Sequence, residues 1–213
     1  MEEPTFFNPF AEIEIHGSRL PHWQQAGATY FVTFRLADSL PRERIDRWKE
    51  DRKVWLQNHP KPWTAEIEAH YRDIFSDTID RWLDNGSGNC LLREREYRDE
   101  IETVMFRFDD DRTSLHSLVV MPNHVHALVS LSVSVTLPDT LKGWKGTSAR
   151  RINQLRKSTE AVWSGNYFDR LIRDQDHFFR VARYIRNNPQ KANLSASEYS
   201  LRESESVEAM LRQ

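Results

Sequence analysis

The sequence has almost no cysteine and no long hydrophobic run. Cys90 is the only cysteine among 213 residues, which excludes an intramolecular disulfide and a cysteine-rich zinc site and fits a reducing cytoplasm. No apolar run approaches the length that a membrane-spanning helix needs. The first residues carry neither the basic nor the apolar region of a secretory signal. We therefore expect a cytoplasmic protein that makes no contact with a membrane.

The residues that are present suffice for a hydrophobic core. Hydrophobic residues make up 38% of the chain and charged residues 29%, and the sequence contains 7 tryptophans and 11 phenylalanines. A length of 213 residues suits one domain with an elaboration, or two small domains. These values predict a polar but globular chain.

The charges are unevenly distributed along the chain. The formal net charge is only -2, yet residues 141–192 contain 12 Lys and Arg against 4 Asp and Glu. The remainder contains 18 basic and 28 acidic residues. A basic block attached to an acidic body favours a localised phosphate-binding face. The alternative is a solvated helix surface, and charge alone does not distinguish the two.

The periodicity of apolar residues predicts an α+β domain. In chain order it indicates a strand at 28–36, helices at 41–58, 64–85 and 93–108, strands at 114–121 and 124–131, a helix at 137–157, a strand at 166–172 and a helix at 174–189. This order is the β-α-β-β-α-β ferredoxin-like pattern of an antiparallel sheet. A helical insertion at about 40–85 interrupts the first crossover, and a further helix follows the last strand.

The same pattern predicts the domain boundaries. Residues 1–194 are expected to form a single domain, with 1–27 as an irregular arm lying on it. Residues 195–213 are rich in Ser and Glu, so we expect an acidic tail that is loose or a marginal helix. No internal repeat is present.

Two histidines stand at the start of the second strand of a predicted hairpin. His124 and His126 follow a Pro-Asn corner, and Val and Leu lie on both sides of that corner. Residues two apart on a strand point to the same face, so the two imidazoles lie side by side. Such a pair is half of a metal site. The motif is equally compatible with one exposed histidine and one satisfied core histidine.

The last predicted helix presents a tyrosine beside an amide. An ideal helix turns by about 100° per residue, which places Tyr184 at the edge of the buried stripe and Asn188 next to it on the same edge. Phe178, Val181, Ala182 and Ile185 form the stripe. The alternative is that Tyr184 is an ordinary boundary tyrosine and that Asn187 and Asn188 merely end the helix before Pro189.

Taken together, the two segments predict phosphodiester chemistry. His124, His126 and Asn188 offer two imidazole nitrogens and an amide oxygen, a mixture that Mg²⁺ or Mn²⁺ accepts while keeping positions open for phosphate oxygens. Tyr184 can then attack phosphorus, forming a phosphotyrosine and releasing a 3′-hydroxyl. A phenol has a pKa of about 10, so it needs activation by the metal or a nearby base.

Basic side chains of the arm and of the two C-terminal helices are the candidate DNA contacts. Their positive charges would balance those of the phosphates. The candidates are Arg19, Lys142, Lys145, Arg150, Arg151, Arg183 and Arg186.

Several segments together resemble the single-tyrosine HUH transposases and, more narrowly, the REP-associated tyrosine transposases of bacteria. They span about residues 18–194, in order and with compatible spacing. The matching segments are Tyr30-Phe31-Val32-Thr33-Phe34-Arg35, Val119-Val120-Met121-Pro122-Asn123-His124-Val125-His126, Trp144-Lys145, Trp163 to Arg173 with Tyr167-Phe168-Asp169, and Tyr184-Ile185-Arg186-Asn187-Asn188-Pro189.

The resemblance implies a ferredoxin-like fold and metal-dependent cleavage of single-stranded DNA, in transposition or in repeat processing. It also implies recognition of a hairpin near a tetranucleotide guide, in the bacterial cytoplasm and nucleoid. It makes His124 and His126 metal ligands, Tyr184 the nucleophile and Asn188 the match to the third ligand. The long 40–85 insertion favours a monomer, with Tyr184 acting within its own chain, over a swapped dimer.

Three other classes compete with this interpretation. A histidine-triad nucleotide hydrolase needs a third histidine where Leu128 stands, so that class fits poorly. A relaxase or replication initiator shares the chemistry but usually orders the motifs differently or adds domains. A domesticated protein that binds structured DNA without cleaving it is the strongest alternative, although such a binder would not need His124, His126, Tyr184 and Asn188 together.

Overall fold

A computed structural model describes residues 4–11, 14–16, 22–60, 62–107 and 112–212. Arg19, a predicted DNA contact, lies outside these residues. Within the described ranges, no helix has both the length and the apolar character to cross a bilayer.

The chain alternates strands and helices in nearly the predicted order. The strands are β1 (Glu14–His16), β2 (His22–Gln24), β3 (Thr29–Leu36), β4 (Thr113–Val120), β5 (His124–Leu131), β6 (Trp163–Leu171) and β7 (Ser200–Glu203). The helices are α1 (Arg42–Asn58), α2 (Ala65–Tyr71), α3 (Asp77–Asp84), α4 (Arg95–Phe106), α5 (Leu137–Arg156), α6 (Gln175–Lys191) and α7 (Glu205–Leu211). A π-helical turn, Arg72–Ser76, joins α2 to α3, and a 3-10 turn, Leu91–Arg93, precedes α4.

The main sheet has the order β6-β3-β5-β4-β7, and every neighbouring pair is antiparallel. Its first four strands, with the α4 and α5 crossovers, are the predicted β-α-β-β-α-β ferredoxin-like arrangement. The predicted α+β fold class is therefore confirmed. β1 and β2 form a separate two-stranded sheet in the segment that was predicted to be an irregular arm.

The interior strands β3 and β5 are buried along their whole length. Side chains alternate between the two faces of a strand. Tyr30, Val32 and Phe34 belong to the cluster that includes residues of α4 and α5. Phe31 and Leu128 belong to the opposite cluster with Ile185 of α6. α4 and α5 thus cover one face of the sheet, and α6 covers the other.

α6 begins at the predicted cap. The Asp174 carboxylate Oδ1 accepts a hydrogen bond from the backbone N–H of His177 at 2.6 Å. The helix runs past Pro189 to Lys191, two residues beyond the predicted end. Proline removes only its own N–H from the helical ladder, so the final turn continues and Ala192 still donates to the carbonyl of Asn188 at 3.1 Å.

The 40–85 insertion folds as a helical unit with a core of its own. The buried residues of that core are Leu40, Ile45, Trp48, Phe75, Ile79 and Leu83. Trp48 meets Phe168 of β6 edge-on, with ring centroids 5.8 Å apart. The insertion is therefore packed against the sheet rather than extended from it.

Residues 195–213 were predicted to be a loose tail or a marginal helix, which agrees with the structure in the helix α7 but not in the strand β7. β7 adds an edge strand to the main sheet beside β4, and α7 follows it. Val207 is buried in the α6-side cluster. The Arg186 guanidinium binds both carboxylate oxygens of Glu203, the shortest contact being 2.8 Å. The acidic composition of the segment suggested a solvated tail. The sequence does not show that Arg186, which is distant in the chain, pairs with the carboxylate of Glu203.

His116 makes the stability of the fold sensitive to acid. Its ring is 3% exposed, and its Nε2 lies 2.7 Å from the Ser130 hydroxyl. Burial lowers the His116 pKa from 6.5 to about 4. The unfolded chain therefore binds this proton more tightly, so the free energy of unfolding falls as the pH drops from 6.5 towards 4.

We expect His116→Gln to flatten part of this acid dependence. The variant cannot take up the proton, and the shift corresponds to about 3 kcal/mol in the wild type. Urea unfolding of both proteins between pH 4 and 7.5 measures the difference. If the free energy of unfolding changed with pH in the same way in both proteins, His116 would not be the source of the acid sensitivity.

Candidate active site

The Nε2 atoms of the two β5 histidines face each other. Both side chains are completely buried, and the Nε2 atoms of His124 and His126 are 3.0 Å apart. Arg35 and Thr33 of β3 are their cross-strand partners. The alternation of side chains along β5 thus brings both rings to the α6 side of the sheet, as the sequence predicts.

Asn123 fixes the tautomer of His124. Its amide Nδ2 donates to the carbonyls of Leu83 and Ser87, each at 3.1 Å, so its Oδ1 is the atom left to face the imidazole. That oxygen lies 2.7 Å from His124 Nδ1. Because an amide oxygen only accepts, Nδ1 carries the proton and the Nε2 lone pair is available. The insertion therefore orients a histidine of the sheet.

His126 is held from two sides. Its Nδ1 lies 2.7 Å from the Thr33 hydroxyl, which can accept or donate. The Phe31 ring stacks on the imidazole, with centroids 5.3 Å apart. When the threonine oxygen accepts, both Nε2 lone pairs converge on one point. Two acceptors at 3.0 Å repel unless a proton or a cation lies between them.

Burial keeps both imidazoles neutral. It lowers the pKa of His124 to about 3, and it lowers the pKa of His126 well below 6.5, with a further decrease from the neighbouring His124. Neutral imidazole is the form that binds a metal. At neutral pH, neither ring needs to lose a proton for such binding.

Tyr184 reaches the histidines from α6. Its ring centroid is 5.5 Å from that of His126 and 5.8 Å from that of Phe31, both in edge-on geometry. Lys191 Nζ stands 5.0 Å from the centre of the phenol ring. The structure thus brings together Tyr184 and the histidine pair, which are about sixty residues apart in sequence.

Asn188 is more deeply buried than the helical pattern indicated. The sequence placed it at the rim of the packed face, but it is 0% exposed. Neither Oδ1 nor Nδ2 has a hydrogen-bond partner among the described residues. Leaving a buried amide unsatisfied is costly, and a ligand removes that cost. An unpaired amide oxygen on the helix that covers the histidines suits a hard cation.

The donor set fits Mg²⁺ or Mn²⁺ better than zinc. Within the described parts of the chain, no cluster of three or more His, Cys, Asp or Glu residues is arranged to hold a metal. A metal here would rely on two imidazoles and an amide oxygen, leaving positions for water or phosphate. The residues present are compatible with that chemistry.

Tyr167, a second tyrosine of the segments that resemble the family and therefore an alternative nucleophile, lies on the other face of the sheet. It pairs in register with Phe34 and packs against the α4 and α5 side. Burial raises the pKa of Tyr167 well above its ordinary value, and the negative charge of Asp169 adds to this effect. A phenol on that side is poorly placed to act with the histidines.

Six of the seven candidate DNA-binding residues lie within the described structure. Lys145 is half-buried, and its ammonium donates to the Gly165 carbonyl at 3.3 Å. Lys142, Arg150 and Arg183 are exposed, as a phosphate contact requires. Arg151 instead pairs with Glu100 at 3.0 Å, and Arg186 with Glu203. These two arginines have carboxylate partners inside the protein, and their contact with DNA stays a prediction.

Sequence reasoning missed three residues around the site. Asn123 and Thr33 orient the histidines, and Asp84 at the end of α3 has a buried Oδ1 without a hydrogen-bond partner in the described structure. Burial raises the Asp84 pKa to about 6, against the opposing charge of Lys191. Asn123 had a signal, since it directly precedes His124. No sequence signal pointed to Asp84, because it lies in the insertion, far along the chain from the histidines and Tyr184.

Comparison with known proteins agrees with this geometry. Residues 91–188, which include the histidines, Tyr184 and Asn188, match the sequence model of the family described as transposase IS200 like. The ISDra2 transposase TnpA of Deinococcus radiodurans is 40% identical over 57 residues, covering 25% of this chain and 39% of that protein.

An uncharacterized protein of Haemophilus influenzae is 32% identical over 96 residues, covering 35% of this chain and 53% of that protein. The chain therefore spans about half or less of the length of these curated relatives.

Two solved structures are similar at low identity. One is a REP-associated tyrosine transposase bound to a REP hairpin, with 15% identity, a TM-score of 0.46 and coverage of 84% of this chain and 76% of that chain. The other is a proposed transposase from Deinococcus radiodurans, with 15% identity, a TM-score of 0.36 and coverage of 88% and 98%. Residues 91–188, slightly less than half of the chain, are thus similar to the IS200-like transposase family, and a shorter stretch is similar to the TnpA transposase.

Proposed function

We propose that the protein cleaves and rejoins single-stranded DNA beside a hairpin, with Tyr184 as the nucleophile. The observation that carries this proposal is the edge-on contact of the Tyr184 ring with His126, whose Nε2 faces that of His124 at 3.0 Å. The completely buried, unpaired Asn188 amide on the same helix supports it. His124, His126 and Asn188 are the proposed holders of Mg²⁺ or Mn²⁺.

Each side chain of the proposed site has a role that follows from its chemistry. When bound, the metal supplies a Lewis acid that polarises the scissile phosphate. Thr33 and Asn123 keep the imidazoles in fixed orientations, so that little reorganisation is needed when the substrate arrives. Lys191 places a positive charge beside the proposed nucleophile, with its Nζ 5.0 Å from the ring centre of Tyr184.

The proposed reaction is a transesterification that balances without another reactant. The Tyr184 oxygen forms a bond to phosphorus while the bond from phosphorus to the 3′-oxygen breaks. The tyrosine loses its proton, and the departing 3′-oxygen gains one. The products are a 5′-phosphotyrosine and a free 3′-hydroxyl, and attack by a 3′-hydroxyl reverses the step. Because one phosphate ester bond replaces another, the reaction can run in reverse and the same site can rejoin strands.

The proposed substrate is single-stranded DNA that carries a hairpin of the REP type, as the sequence resemblance implies. The exposed Lys142, Arg150 and Arg183 are proposed to contact its phosphates. We also propose that the protein acts as a monomer, because Tyr184 already contacts His126 of its own chain. A site assembled in this way needs no second copy.

The polarity of cleavage tests the proposal. A hairpin oligonucleotide labelled at its 5′ or its 3′ end is incubated with protein and Mn²⁺, or with a chelator. We expect the 3′-side fragment to become attached to the protein and the 5′-side fragment to end in a hydroxyl that a polymerase can extend. Tight binding without cleavage in any metal would instead identify a non-cleaving binder of structured DNA.

Asn123→Ala is expected to weaken Mn²⁺ binding about 10- to 100-fold, because His124 loses the acceptor that fixes its tautomer. Asn123→Asp is the matched variant, since its carboxylate still accepts from Nδ1 but no longer donates to Leu83 and Ser87. Calorimetric titration should rank the affinities as wild type, then Asp, then Ala. Equal affinities in the two variants would show that this hydrogen bond does not orient the ligand.

A further inference from the structure

The alignment of the proposed nucleophile depends on the placement of one helix. Tyr184 and Asn188 both lie on α6, which packs on the sheet through apolar side chains that include Val181, Ala182 and Ile185. Apolar contacts are non-directional, so they constrain the position of α6 along its own axis less sharply than polar contacts of defined geometry do. A directional contact between α6 and the sheet would fix that position.

Arg186 supplies such a contact. It lies on α6 two residues from Tyr184 and two residues from Asn188. Its Nε donates to both carboxylate oxygens of Glu203, at 3.0 and 3.1 Å, and its Nη2 donates to Oε2 at 2.8 Å. A guanidinium that binds both oxygens of a carboxylate fixes the orientation of the pair as well as its distance. The Glu203 side chain is only 7% exposed, so solvent ions screen this pair weakly.

β7 presents Glu203 on the face of the sheet that α6 covers. Glu203 pairs in register with Ser117 of β4. Ser117 pairs in turn with Leu128 of β5, and Leu128 pairs with Phe31 of β3. Directly paired residues of an antiparallel sheet point to the same face. The row that begins at Glu203 therefore ends at Phe31, whose ring meets that of Tyr184 edge-on with centroids 5.8 Å apart.

The other face of β7 is attached to α4. Arg202 donates from its Nε to Oε2 of Glu102 at 2.8 Å. The buried Arg98 donates from its Nε to the Ser200 hydroxyl at 3.0 Å. The ladder to β4 and these polar contacts with α4 together hold β7 in place. Glu203 therefore binds α6 from a fixed position.

We propose that the Glu203 carboxylate holds α6 through Arg186 and so keeps Tyr184 aligned with the histidine pair. This inference rests on the proposed function, since it gives Arg186 and Glu203 a role in the cleavage reaction at that site. Neither side chain takes part in bond breaking, so both are positioning residues. The ion pair is expected to affect the rate of adduct formation rather than the affinity for DNA.

Glu203→Gln tests the proposal, with Glu102→Gln as the matched control. The Glu102 side chain is 8% exposed and binds Arg202 at 2.8 Å, so the control removes a carboxylate of similar burial that binds the other face of β7. Single-turnover adduct formation is measured at saturating hairpin DNA and Mn²⁺. We expect Glu203→Gln to react about 10- to 100-fold more slowly, because a small misplacement of a reacting group has a cost of that size. Glu102→Gln should react at the wild-type rate.

Hairpin affinity distinguishes this role from a direct contact between Arg186 and DNA. The dissociation constants of Tyr184→Phe and Tyr184→Phe/Glu203→Gln should be equal, because Arg186 keeps its charge in both proteins. Tighter binding by the second protein, with an unchanged cleavage rate in Glu203→Gln, would make Arg186 a DNA contact that Glu203 restrains and would overturn the positioning role. Equal slowing in Glu203→Gln and Glu102→Gln would overturn it as well, since both pairs would then only stabilise the fold.

Hydrogen exchange of the α6 amides gives a readout that does not depend on catalysis. Exchange in α6 should be faster in Glu203→Gln but not in Glu102→Gln, because a helix that loses a fixed contact opens locally more often. Unchanged exchange together with a wild-type rate of adduct formation in Glu203→Gln would overturn the positioning role alone. If the wild type itself forms no adduct in any metal, the proposed function fails, and the role of the ion pair in catalysis fails with it.

Discussion

Tyr184→Phe is expected to abolish the covalent protein–DNA adduct while leaving hairpin binding unchanged. The substitution removes one oxygen and retains the ring that packs edge-on against His126 and Phe31. Loss of a nucleophile that acts with other catalytic groups reduces turnover by about a thousandfold or more. Adduct formation on a denaturing gel and hairpin affinity by fluorescence anisotropy measure the two properties separately.

Tyr167→Phe is the matched control for this prediction. Tyr167 is also a partly buried tyrosine, but it packs with Phe34 on the face of the sheet opposite the histidines. The variant should form adducts as the wild type does. Persistent adducts in Tyr184→Phe, together with their loss in Tyr167→Phe, would place the nucleophile on the other face of the sheet and overturn the proposed site.

His126→Ala is expected to eliminate metal-dependent cleavage, with a loss of Mn²⁺ affinity of at least about a hundredfold. The imidazole is one of the two nitrogen ligands proposed for the metal, and changing a residue behind a ligand already costs about 10- to 100-fold in affinity. The variant also leaves the Thr33 hydroxyl without its partner at 2.7 Å, so its melting temperature must be measured alongside. Hairpin binding should survive, since the proposed phosphate contacts are made by other side chains.

His70→Ala is the appropriate comparison, because His70 is an exposed histidine of α2. It should retain wild-type metal affinity and cleavage. If His126→Ala cleaved DNA at the wild-type rate and with the same dependence on Mn²⁺, the histidine pair would have no part in the reaction. Rescue of the variant by higher Mn²⁺ concentration would be consistent with a weakened ligand set.

The sequence predicted the placement of the histidines well because strand geometry is local. The alternation of side chains in β5 is sufficient to put His124 and His126 on one face, and the turn before them follows from Pro122 and Asn123. The spacing of Tyr184 and Asn188 on α6 is equally local. Local rules therefore captured the two halves of the site, and the resemblance to a family brought them together.

Features that depend on distant residues were not predictable in the same way. A helical wheel gives the direction of Asn188 but not whether other parts of the chain cover it, and its complete burial was missed. The strand β7 in the tail was not predicted, because the acidic composition is visible locally whereas the Arg186–Glu203 ion pair is a tertiary contact. The hydrogen bonds from Asn123 to the insertion are of the same kind.

The burial of Arg35 at the end of β3 was likewise invisible in the sequence. An arginine near the end of a strand is expected at the solvent boundary, with its head group in water. The head group is instead buried, and its Nη1 donates to the Leu36 carbonyl and the Ser39 hydroxyl, contacts that no pattern within β3 reveals. Where local expectation and tertiary structure disagree in this way, a functional site is a common reason.

Mass spectrometry of the trapped adduct tests the central claim most directly. The wild-type protein is incubated with hairpin DNA and Mn²⁺, then digested with nuclease and protease. The account predicts a peptide in which Tyr184 carries a nucleotide attached through its 5′-phosphate. It predicts no such peptide when a chelator replaces the metal. A nucleotide attached to Tyr167 or to any other residue, or cleaved DNA without a covalent peptide, would contradict it.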